Sequence, residues 1–554
     1  MRLARMSTVQ WTFTVIFIVW SYRCVHNLFQ LKHRRHFRPL PKPRFHLHSI
    51  SKRKAKPTNS SLMFKGVNSS VHPFQKHELS PLNCARASES KLQLMSKSHI
   101  YRIGEKIEVR IQTFNGHGVP MIRGGDLVRV WIKEVAKGAC AAGSVTDNQN
   151  GTYTATIIPR WTGNVTVMAA IAAPRELIDM FHRVFRSNGS LNTMMARFEK
   201  GGVSEESPCL PYPHIRGFSK ACNFSKKVGG LPFYCGHPVN LQCHNWVAVR
   251  TPPGQAGRFT QNEKKLFIKE LFHQNIPGRL EVKVVKGKSK QKGPIGTRNS
   301  TYRSTWSRAP GYFLNWNWHQ GEGHTLSDEG HLERKDTFVN RLTRCLANRR
   351  LWLIGDSTLR QWFEFISQKL HTVRKYASEE ILHPHQPVLT EDRSRNMSIF
   401  WGPHGLPFHH GSVWHSPDVN RAAHQYLDAV TPVSTDVYII HLYVHFNAFS
   451  EGVFRSHVRR LADSLDKLFA RSPKVKVAVK GPHAFHGLNK AGFVDDYFGP
   501  VYDSILRSEL QHLQEHVIYL DYWDMTVACE NVHIHPNVTI VQAMIDVMIK
   551  HVCR

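Results

Sequence analysis

The alternation of apolar and polar residues changes twice along the chain. Between about residues 90 and 175, four short runs alternate in polarity or are rich in β-branched residues: IEVRIQTFN, LVRVWIKEV, GTYTATIIP and GNVTVMAAI. Gly, Asn and Asp separate the runs, as in the stretch DNQNGTY. Short alternating runs joined by such turns are typical of antiparallel strands in two packed sheets. The sequence therefore predicts an immunoglobulin-like β-sandwich in residues 81–200.

Residues 201–340 show little periodicity. They contain four cysteines, many Gly and Pro residues, and aromatic segments such as YFLNWNWHQGEGH. We interpret this region as an irregular connecting region tied by disulfides. Its basic stretch KVVKGKSKQKG (283–293) predicts a solvated loop, and contact with an acidic glycan is the alternative.

From residue 341 onward, strand-length apolar runs alternate with helical patterns. The runs are LWLIG (351–355), VYIIHLYV (437–444), VKVAVKG (475–481), HVIYLDY (516–522) and the weaker SIFWG. The helical patterns include VFRSHVRRLADSLDKLFARS and the final TIVQAMIDVMIKHVC. This alternation predicts βαβ units, and hence a parallel sheet covered by helices on both faces, in residues 341–554. The expected fold class is therefore multidomain, a β-sandwich followed by an α/β domain.

The N-terminus carries an apolar run, VQWTFTVIFIVW (9–20), preceded by Arg2 and Arg5. This pattern predicts a signal peptide or signal anchor in residues 1–30, with a buried helix as the alternative. No small-residue cleavage site follows the run, which favours an uncleaved membrane anchor, although the run is shorter than a usual span. Residues 31–80 are rich in Lys, Arg, His, Pro and Ser and predict an extended basic stem or linker.

Two further features indicate the secretory pathway. Acceptor sequences for N-glycosylation occur at Asn59, Asn68, Asn150, Asn164, Asn188, Asn223, Asn299, Asn396 and Asn537. Beyond residue 30 the cysteines lie at positions 84, 140, 209, 222, 235, 243, 345, 529 and 553. They form no C-x-x-C pair, which favours disulfides over zinc. Their number is odd, which leaves a free thiol or an intermolecular bridge.

The charge of the chain points to anionic partners. Lys and Arg number 74 against 41 Asp and Glu, a net charge of +33. Nucleic acid, acidic lipid and acidic glycans are the general candidates. A lumenal location excludes nucleic acid as a partner. The positive charge then indicates either binding to acidic sugars or no more than a contribution to solubility.

Ser357 lies where the first predicted strand of the α/β region ends and its helix begins. This position exposes the hydroxyl at the sheet edge and points free helical N–H groups toward whatever it attacks. Gly355 permits the tight turn, and Asp356 can brace it. The alternative is purely structural, because Ser is a favoured N-cap and Gly-Asp-Ser is a common turn.

A serine nucleophile needs a base, and a histidine pair follows the last predicted strand. His533 and His535 lie in the loop before the final helix, at the same predicted sheet edge as Ser357. Asp521 and Asp524, at the end of that strand, could orient an imidazole. A surface pair or a metal-ligand pair are the alternatives, and since no third ligand accompanies the pair, no metal site is predicted.

These residues carry a resemblance to a known family. The blocks IGDS, DYWDM and HIHP resemble the PC-esterase branch of the GDSL/SGNH hydrolases. The stretch SVTDNQNGTYTATIIPRWTGNVTV is similar to a neurexophilin-like domain. From about residue 80 to its end, the chain therefore resembles the neurexophilin and PC-esterase domain family, with an SGNH-like α/β domain in residues 341–554.

The resemblance implies roles for particular positions. Ser357 matches the nucleophile, and His535, directly before a proline, matches the base of a D-x-x-H block. Val532 stands where that block has Asp, so the resemblance makes Asp524 or Asp521 the expected orienting acid, or leaves a Ser–His dyad.

The oxyanion or binding positions are less regular. The second block places Gly402 in FWGPHG, and the third, usually Asn-containing, offers His445 or Asn447 in LYVHFN. Gly355 and Asp356 complete this set.

A Ser–His site performs acyl transfer, and the acceptor determines the reaction. The family resemblance and the basic charge imply a glycan O-acetyltransferase, with sialic acid on a glycan or glycoprotein as the acceptor. No bound cofactor is expected, and acetyl-CoA is the natural donor. We expect the protein in the Golgi lumen as a type II anchored protein, or secreted. One alternative is an O-acetyl esterase with the same residues. The other is a catalytically inactive secreted ligand of a cell-surface receptor.

Overall fold

The computed structural model describes residues 79–252, 259–287, 306, 311–320, 337–376, 386–404, 413–417, 421–485 and 495–553. All of these residues lie in one compact unit, Lys76–Arg554. The predicted N-terminal anchor, nearly all of the stem and the acceptors Asn59, Asn68 and Asn299 lie outside the described residues. Within the described part, the structure has no helix with the length and apolar character needed to cross a bilayer.

The strands follow one another through the described chain. They are β1 (Ala85–Leu94), β2 (Ile100–Arg102), β3 (Ile107–Asn115), β4 (Leu127–Glu134), β5 (Ala139–Ala142), β6 (Ser144–Asp147), β7 (Thr152–Ile157), β8 (Gly163–Ala173), β9 (Met194–Lys200), β10 (Val203–Leu210), β11 (Ala221–Asn223), β12 (Tyr234–Gly236), β13 (Trp246–Arg250), β14 (Gln274–Asn275), β15 (Leu280–Val285), β16 (Gly311–Leu314), β17 (Asn317–Gln320), β18 (Arg350–Gly355), β19 (Val373–Tyr376), β20 (Val388–Asp392), β21 (Met397–Pro403), β22 (Val437–Ile440), β23 (Lys476–Lys480) and β24 (Val517–Leu520).

Helices lie mainly in the C-terminal half. They are α1 (Arg175–Asn188), α2 (Gln261–Lys264), α3 (Phe338–Leu346), α4 (Ser357–Leu370), α5 (Ala423–Asp428), α6 (Glu451–Arg471), α7 (Gly499–Glu509), α8 (Trp523–Ala528) and α9 (Val538–Val552).

Two β-sheets of the N-terminal half pack around a shared core. One has the strand order β1-β3-β7-β6, and the other β17-β16-β5-β4-β8-β15-β2, with β14 paired to β8. Buried residues of both sheets, such as Ile111, Val130 and Val282, belong to the same core. The four predicted strands are confirmed as β3, β4, β7 and β8. The immunoglobulin-like type stays a prediction.

The boundary predicted at residue 200 is too early for the sheets. Strands β15, β16 and β17 join the sheet of β4 and β8. A separate sheet, β11-β12-β10-β9-β13, follows α1. Residues 201–340 therefore contain regular strands that the sequence pattern did not predict. Several of them have only two to four residues, too few for a readable pattern, and their pairing is long-range.

The C-terminal sheet has the order β19-β20-β21-β18-β22-β23-β24. The five strands β21, β18, β22, β23 and β24 are parallel, as predicted, whereas β19 and β20 pair antiparallel at one edge. Alternate residues of β18 face opposite cores. Leu353 packs with Phe363 of α4, and Ile354 belongs to the core that contains Leu461 of α6. The sheet is therefore covered on both faces.

Three disulfides are present in the described residues: Cys209–Cys235, Cys222–Cys243 and Cys345–Cys553. They are consistent with a lumenal or secreted protein. Cys84, Cys140 and Cys529 are thiols, more than the one that an odd count requires, and the sulfurs of Cys140 and Cys529 lie 3.7 Å apart.

The described glycosylation acceptors lie at the surface. Exposed side chains are found at Asn150, Asn164, Asn223, Asn396 and Asn537. Asn188 ends α1, and its side chain is not described. Modification at these positions stays a prediction.

Candidate active site

Ser357 is the first residue of α4, directly beyond the carboxyl end of the central strand β18. Asp356 caps the helix, and its Oδ1 accepts hydrogen bonds from the amide and the hydroxyl of Thr358, at 2.9 and 2.7 Å. A Cβ atom at Gly355 would lie 2.8 Å from the His441 carbonyl oxygen, so this close approach of strand ends requires glycine. The sequence therefore places the Ser357 hydroxyl at the sheet edge.

His535 reaches this hydroxyl from the other end of the domain. Its Nε2 lies 2.8 Å from Oγ of Ser357. Strands β22 and β23 lie between β18 and β24 in the sheet, so the loop between α8 and α9 has to cross the ends of both strands. The two side chains that the sequence analysis paired are thus within hydrogen-bond distance, although their strands are not neighbours.

Contacts along the His535 loop hold it in place. The Glu530 carboxylate accepts a 3.0 Å hydrogen bond from the Trp131 indole of β4. The Gln361 amide of α4 donates to the Pro536 carbonyl at 2.6 Å. Asn537 then caps α9 through its side-chain oxygen. The loop that carries His535 is therefore held by side-chain hydrogen bonds at both ends.

The pKa of His535 is lowered from its ordinary value of 6.5. Partial desolvation of the ring by the surrounding atoms is the main cause, although part of the side chain is exposed; Asp356 opposes the shift and Arg360 adds to it. The imidazole is therefore neutral at neutral pH. In the tautomer that carries its proton on Nδ1, Nε2 accepts a hydrogen bond from the Ser357 hydroxyl. This is the arrangement of a general base and its nucleophile.

The predicted acid Asp521 has two hydrogen-bond donors around it. Its Oδ2 accepts a 2.6 Å hydrogen bond from Arg507, and its Oδ1 accepts one from the Trp523 amide at 3.2 Å. Arg507 and the Trp523 amide therefore each bind one oxygen of this carboxylate, and the role of Asp521 in orienting His535 stays a prediction.

The other two residues predicted beside His535 are Asp524 and His533. Asp524 lies in the first turn of α8, and its proposed role stays a prediction. His533 is exposed, and its carbonyl accepts a hydrogen bond from Asn531. Whether an aspartate orients His535 or the site is a Ser–His dyad stays open.

The oxyanion candidates differ in their surroundings. In the described residues the Ser357 amide has no acceptor, so it points free from the start of α4. Gly402 lies beside Ile354 in the sheet, and a Cβ there would come within 2.8 Å of the rings of Phe400 and Tyr426. A role for the Gly402 amide stays a prediction.

The third block supplies buried groups with other contacts. Asn447 is buried, and its Nδ2 donates to the Asp495 carbonyl at 2.5 Å. The His445 ring lies 5.3 Å from that of His404. Neither side chain shows a contact with Ser357 in the described structure, so their oxyanion role also stays a prediction.

A buried polar network beneath the site was missed by the sequence analysis. Oδ2 of Asp356 lies 3.7 Å from Nε2 of His441, which follows β22. The nitrogen of Lys480, the last residue of β23, lies 3.0 Å from the same His441 atom and 3.3 Å from Nδ1 of His483. All four side chains are at most 1% exposed. The available signal was a cluster of titratable residues directly after two apolar strands, in VYIIH and KVAVKGPH.

One further cluster of His and Asp residues lies at the contact between β-sandwich and α/β domain. Ligand atoms of His273, Asp495 and Asp496 lie within 4.8 Å of one another. The Arg129 guanidinium pairs with Asp496 and lies 3.3 Å from His273 Nδ1. The guanidinium group of Arg129 therefore provides a positive charge beside the carboxylates of this cluster.

The same C-terminal region matches a known protein family. Residues 326–553 match the family model "NXPE family member 4-like, C-terminal domain". The match contains Ser357, His535 and the whole buried network. The NXPE family is related to the PC-esterase and acyltransferase superfamily, which agrees with the resemblance noted in the sequence.

A solved structure also shows similarity to the chain. It is that of FdeC, an adhesin of Escherichia coli, at 15% identity over 36% of this chain and 65% of that chain, with a TM-score of 0.13. The chain thus spans less than two thirds of the adhesin structure, and a TM-score of this size carries no argument about fold.

Proposed function

We propose that the protein is a lumenal glycan O-acetyltransferase in which Ser357 carries the acyl group. The observation that supports this most directly is the 2.8 Å contact between Ser357 Oγ and His535 Nε2 at the N-terminus of α4. A neutral imidazole, a hydroxyl and a free helical amide are the parts that acyl transfer needs.

The first half-reaction forms an acetyl-serine. His535 takes the proton from Ser357 as the oxygen attacks the thioester carbonyl of acetyl-CoA. The amide of Ser357 and the N-terminus of α4 stabilise the negative charge on the tetrahedral intermediate. The intermediate expels the thiolate of coenzyme A, which takes the proton from the His535 imidazolium.

The second half-reaction transfers the acetyl group. A sugar hydroxyl gives its proton to His535 and attacks the acetyl carbonyl. The Ser357 oxygen leaves and regains a proton from the imidazolium, so the site returns to its starting state.

An anionic acceptor such as sialic acid fits the charge of the site. The chain carries a net charge of +33. Arg360, three residues after Ser357, is close enough to affect the pKa of His535. A guanidinium in this position suits a carboxylate on the acceptor.

A glycan O-acetyl esterase with the same residues is the second candidate. His535 is exposed in the structure, so water has access to the reacting pair. Water in place of the sugar hydroxyl turns the second half-reaction into hydrolysis.

The experiment uses the purified full chain with acetyl-CoA, sialic acid and a fluorophosphonate probe. Labelling of Ser357 and acetylation of sialic acid support the transferase. Release of acetate from acetylated sialic acid, without transfer, supports the esterase. Absence of labelling and of both reactions refutes the proposal and leaves the inactive ligand. Ser357→Ala abolishes labelling, and Ser456→Ala in α6 serves as the matched control.

A further inference from the structure

We propose that Lys480 is a positioning residue whose ammonium group holds Ser357 and the His535 loop in their reactive arrangement. The inference rests on the proposed acyl-transfer function. It concerns a group that touches neither the acyl donor nor the acceptor and acts through the residues that follow Ser357 and precede His535.

Lys480 ends β23, beneath the loop that carries His535. Its side chain is 1% exposed. The ammonium nitrogen lies 3.0 Å from His441 Nε2, 3.3 Å from His483 Nδ1 and 3.4 Å from Thr358 Oγ1. One buried nitrogen therefore contacts groups from three segments of the chain.

The other hydrogen bonds of these partners determine where the protons lie. His441 Nδ1 is 2.8 Å from the Lys480 carbonyl, so Nδ1 donates and Nε2 is an acceptor. His483 Nε2 is 2.9 Å from the Ile534 carbonyl, so Nε2 donates and Nδ1 is an acceptor. The Thr358 hydroxyl donates to Asp356, which leaves its oxygen as an acceptor. Lys480 thus faces three acceptors.

This set of acceptors matches a protonated lysine. An ammonium group has three N–H donors, one for each acceptor, whereas a neutral amine has only two. Asp356, joined to Lys480 through Thr358, supplies the opposite charge. Burial lowers the pKa of Lys480 to about 7, and Asp356 opposes this shift.

The charge state of Asp356 agrees with this pairing. Burial by itself would raise the Asp356 pKa. Electrostatic interactions with His441, His445 and Lys480, together with the Thr358 hydrogen bond, hold this pKa well below its usual value. The titratable groups that face this network from the neighbouring strand ends are Asp356, His404, His441, His445 and His483.

Two chains of hydrogen bonds, called arms here, run from the ammonium group to the neighbours of Ser357 and His535. One runs through Thr358, the neighbour of Ser357, and the other through His483 to the carbonyl of Ile534, the neighbour of His535. The loop crosses two strand ends, and the network fills the space beneath it. Loss of the ammonium group leaves buried acceptors unpaired and lets the two arms move independently. A misplacement of about 1 Å costs on the order of 100-fold in rate.

The test compares Lys480→Met with Lys476→Met, a half-buried lysine at the other end of the same strand. The measurements are the rate at which a fluorophosphonate labels Ser357 between pH 5 and 9, and the thermal midpoint. We expect Lys480→Met to label roughly 10- to 100-fold more slowly and Lys476→Met to label like the wild type. Above pH 7 the wild-type rate falls, and the Lys480→Met rate does not. A folded Lys480→Met protein with the wild-type rate and pH profile overturns the proposal.

A second variant covers the case in which Lys480→Met does not fold. His483→Phe keeps a ring of similar volume and removes the hydrogen bonds of His483 to Lys480 and to the Ile534 carbonyl. The same slowing supports the positioning role, and an unchanged rate overturns it. Failure of both variants to fold assigns the network to stability alone and also overturns the proposal.

The outcomes separate this inference from the proposed function. If the wild type is not labelled, the acyl-transfer proposal fails, and this inference fails with it. If the wild type is labelled and the variants are labelled equally fast, only the positioning role of Lys480 fails.

Discussion

The side chains of Ser357 and His535 are separated by 178 residues in sequence, and they meet at 2.8 Å. Their strands are not neighbours, since β22 and β23 lie between β18 and β24. The contact therefore depends on a loop that crosses the sheet edge and on what supports the loop from below.

Removal of either member of the pair should abolish acyl transfer without unfolding the protein. Ser357→Ala and His535→Ala each lose a reacting group whose side chain is not buried in a core. We expect the transfer rate to fall by at least about 10³-fold and the thermal midpoint to change little. Steady-state rates and calorimetry check this. A Ser357→Ala protein that retains half of the activity would exclude this serine as the acyl carrier.

The pH–rate profile should have two limbs. The base must be neutral, and burial lowers the pKa of His535 below 6.5, so activity rises with pH through a value below 6.5. The ammonium form of Lys480 is lost near pH 7, so activity falls above that pH. Rates of Ser357 labelling between pH 4 and 9 measure both limbs. A profile that rises through pH 8 contradicts the role of Lys480.

Stability should change with pH in the opposite direction. The pKa of Lys480 is about 7 in the folded protein and 10.5 ordinarily. Between these values the unfolded state binds more protons, so the free energy of unfolding contributed by this group rises with pH. Urea unfolding at pH 7 and pH 9 measures the change. The increase should be absent in Lys480→Met, and an equal increase in that variant contradicts the assignment.

Asp521→Asn should weaken the fold rather than the chemistry. The substitution removes the charge that pairs with Arg507, and we expect a loss of about 1–3 kcal/mol in the free energy of unfolding. The labelling rate of Ser357 should not change. An aspartate that oriented the base would instead reduce the rate by on the order of 10⁴-fold on conversion to asparagine.

Arg360→Gln should affect an anionic acceptor selectively. We expect KM for sialic acid to rise about 10-fold, the equivalent of about 1.4 kcal/mol, with little change for a neutral sugar. Lys369→Gln, an exposed cation on the same helix, is the control. An equal effect of Arg360→Gln on both acceptors would argue against charge recognition.

The disulfide between Cys345 and Cys553 should be a major source of stability. It closes a loop with a sequence separation of 208 residues and joins the end of α3 to the end of α9. Replacing both cysteines with alanine should lower the free energy of unfolding by about 2–5 kcal/mol. Chemical unfolding without reductant measures this, and an unchanged midpoint contradicts it.

Local sequence determined many of the elements and the choice of Ser357 and His535 as candidates. Apolar alternation located β3, β4, β7 and β8, because strand pleating makes polarity repeat every second residue. Apolar runs followed by helical periods located β18 and α4, and Ser357 stands at their junction. The loop before the last helix offered His533 and His535, and the family resemblance of the HIHP block favoured His535.

Tertiary structure decided the rest, because it depends on contacts between distant segments. Pairing drew β15, β16 and β17 into the sandwich sheet, which no local pattern records. Strand order put two strands between Ser357 and the end of β24 and so placed His441, Lys480 and His483 beneath the crossing loop. Hydrophobic periodicity identifies which residues belong to an element, but only the packed chain fixes which charges become neighbours in a buried, weakly screened interior.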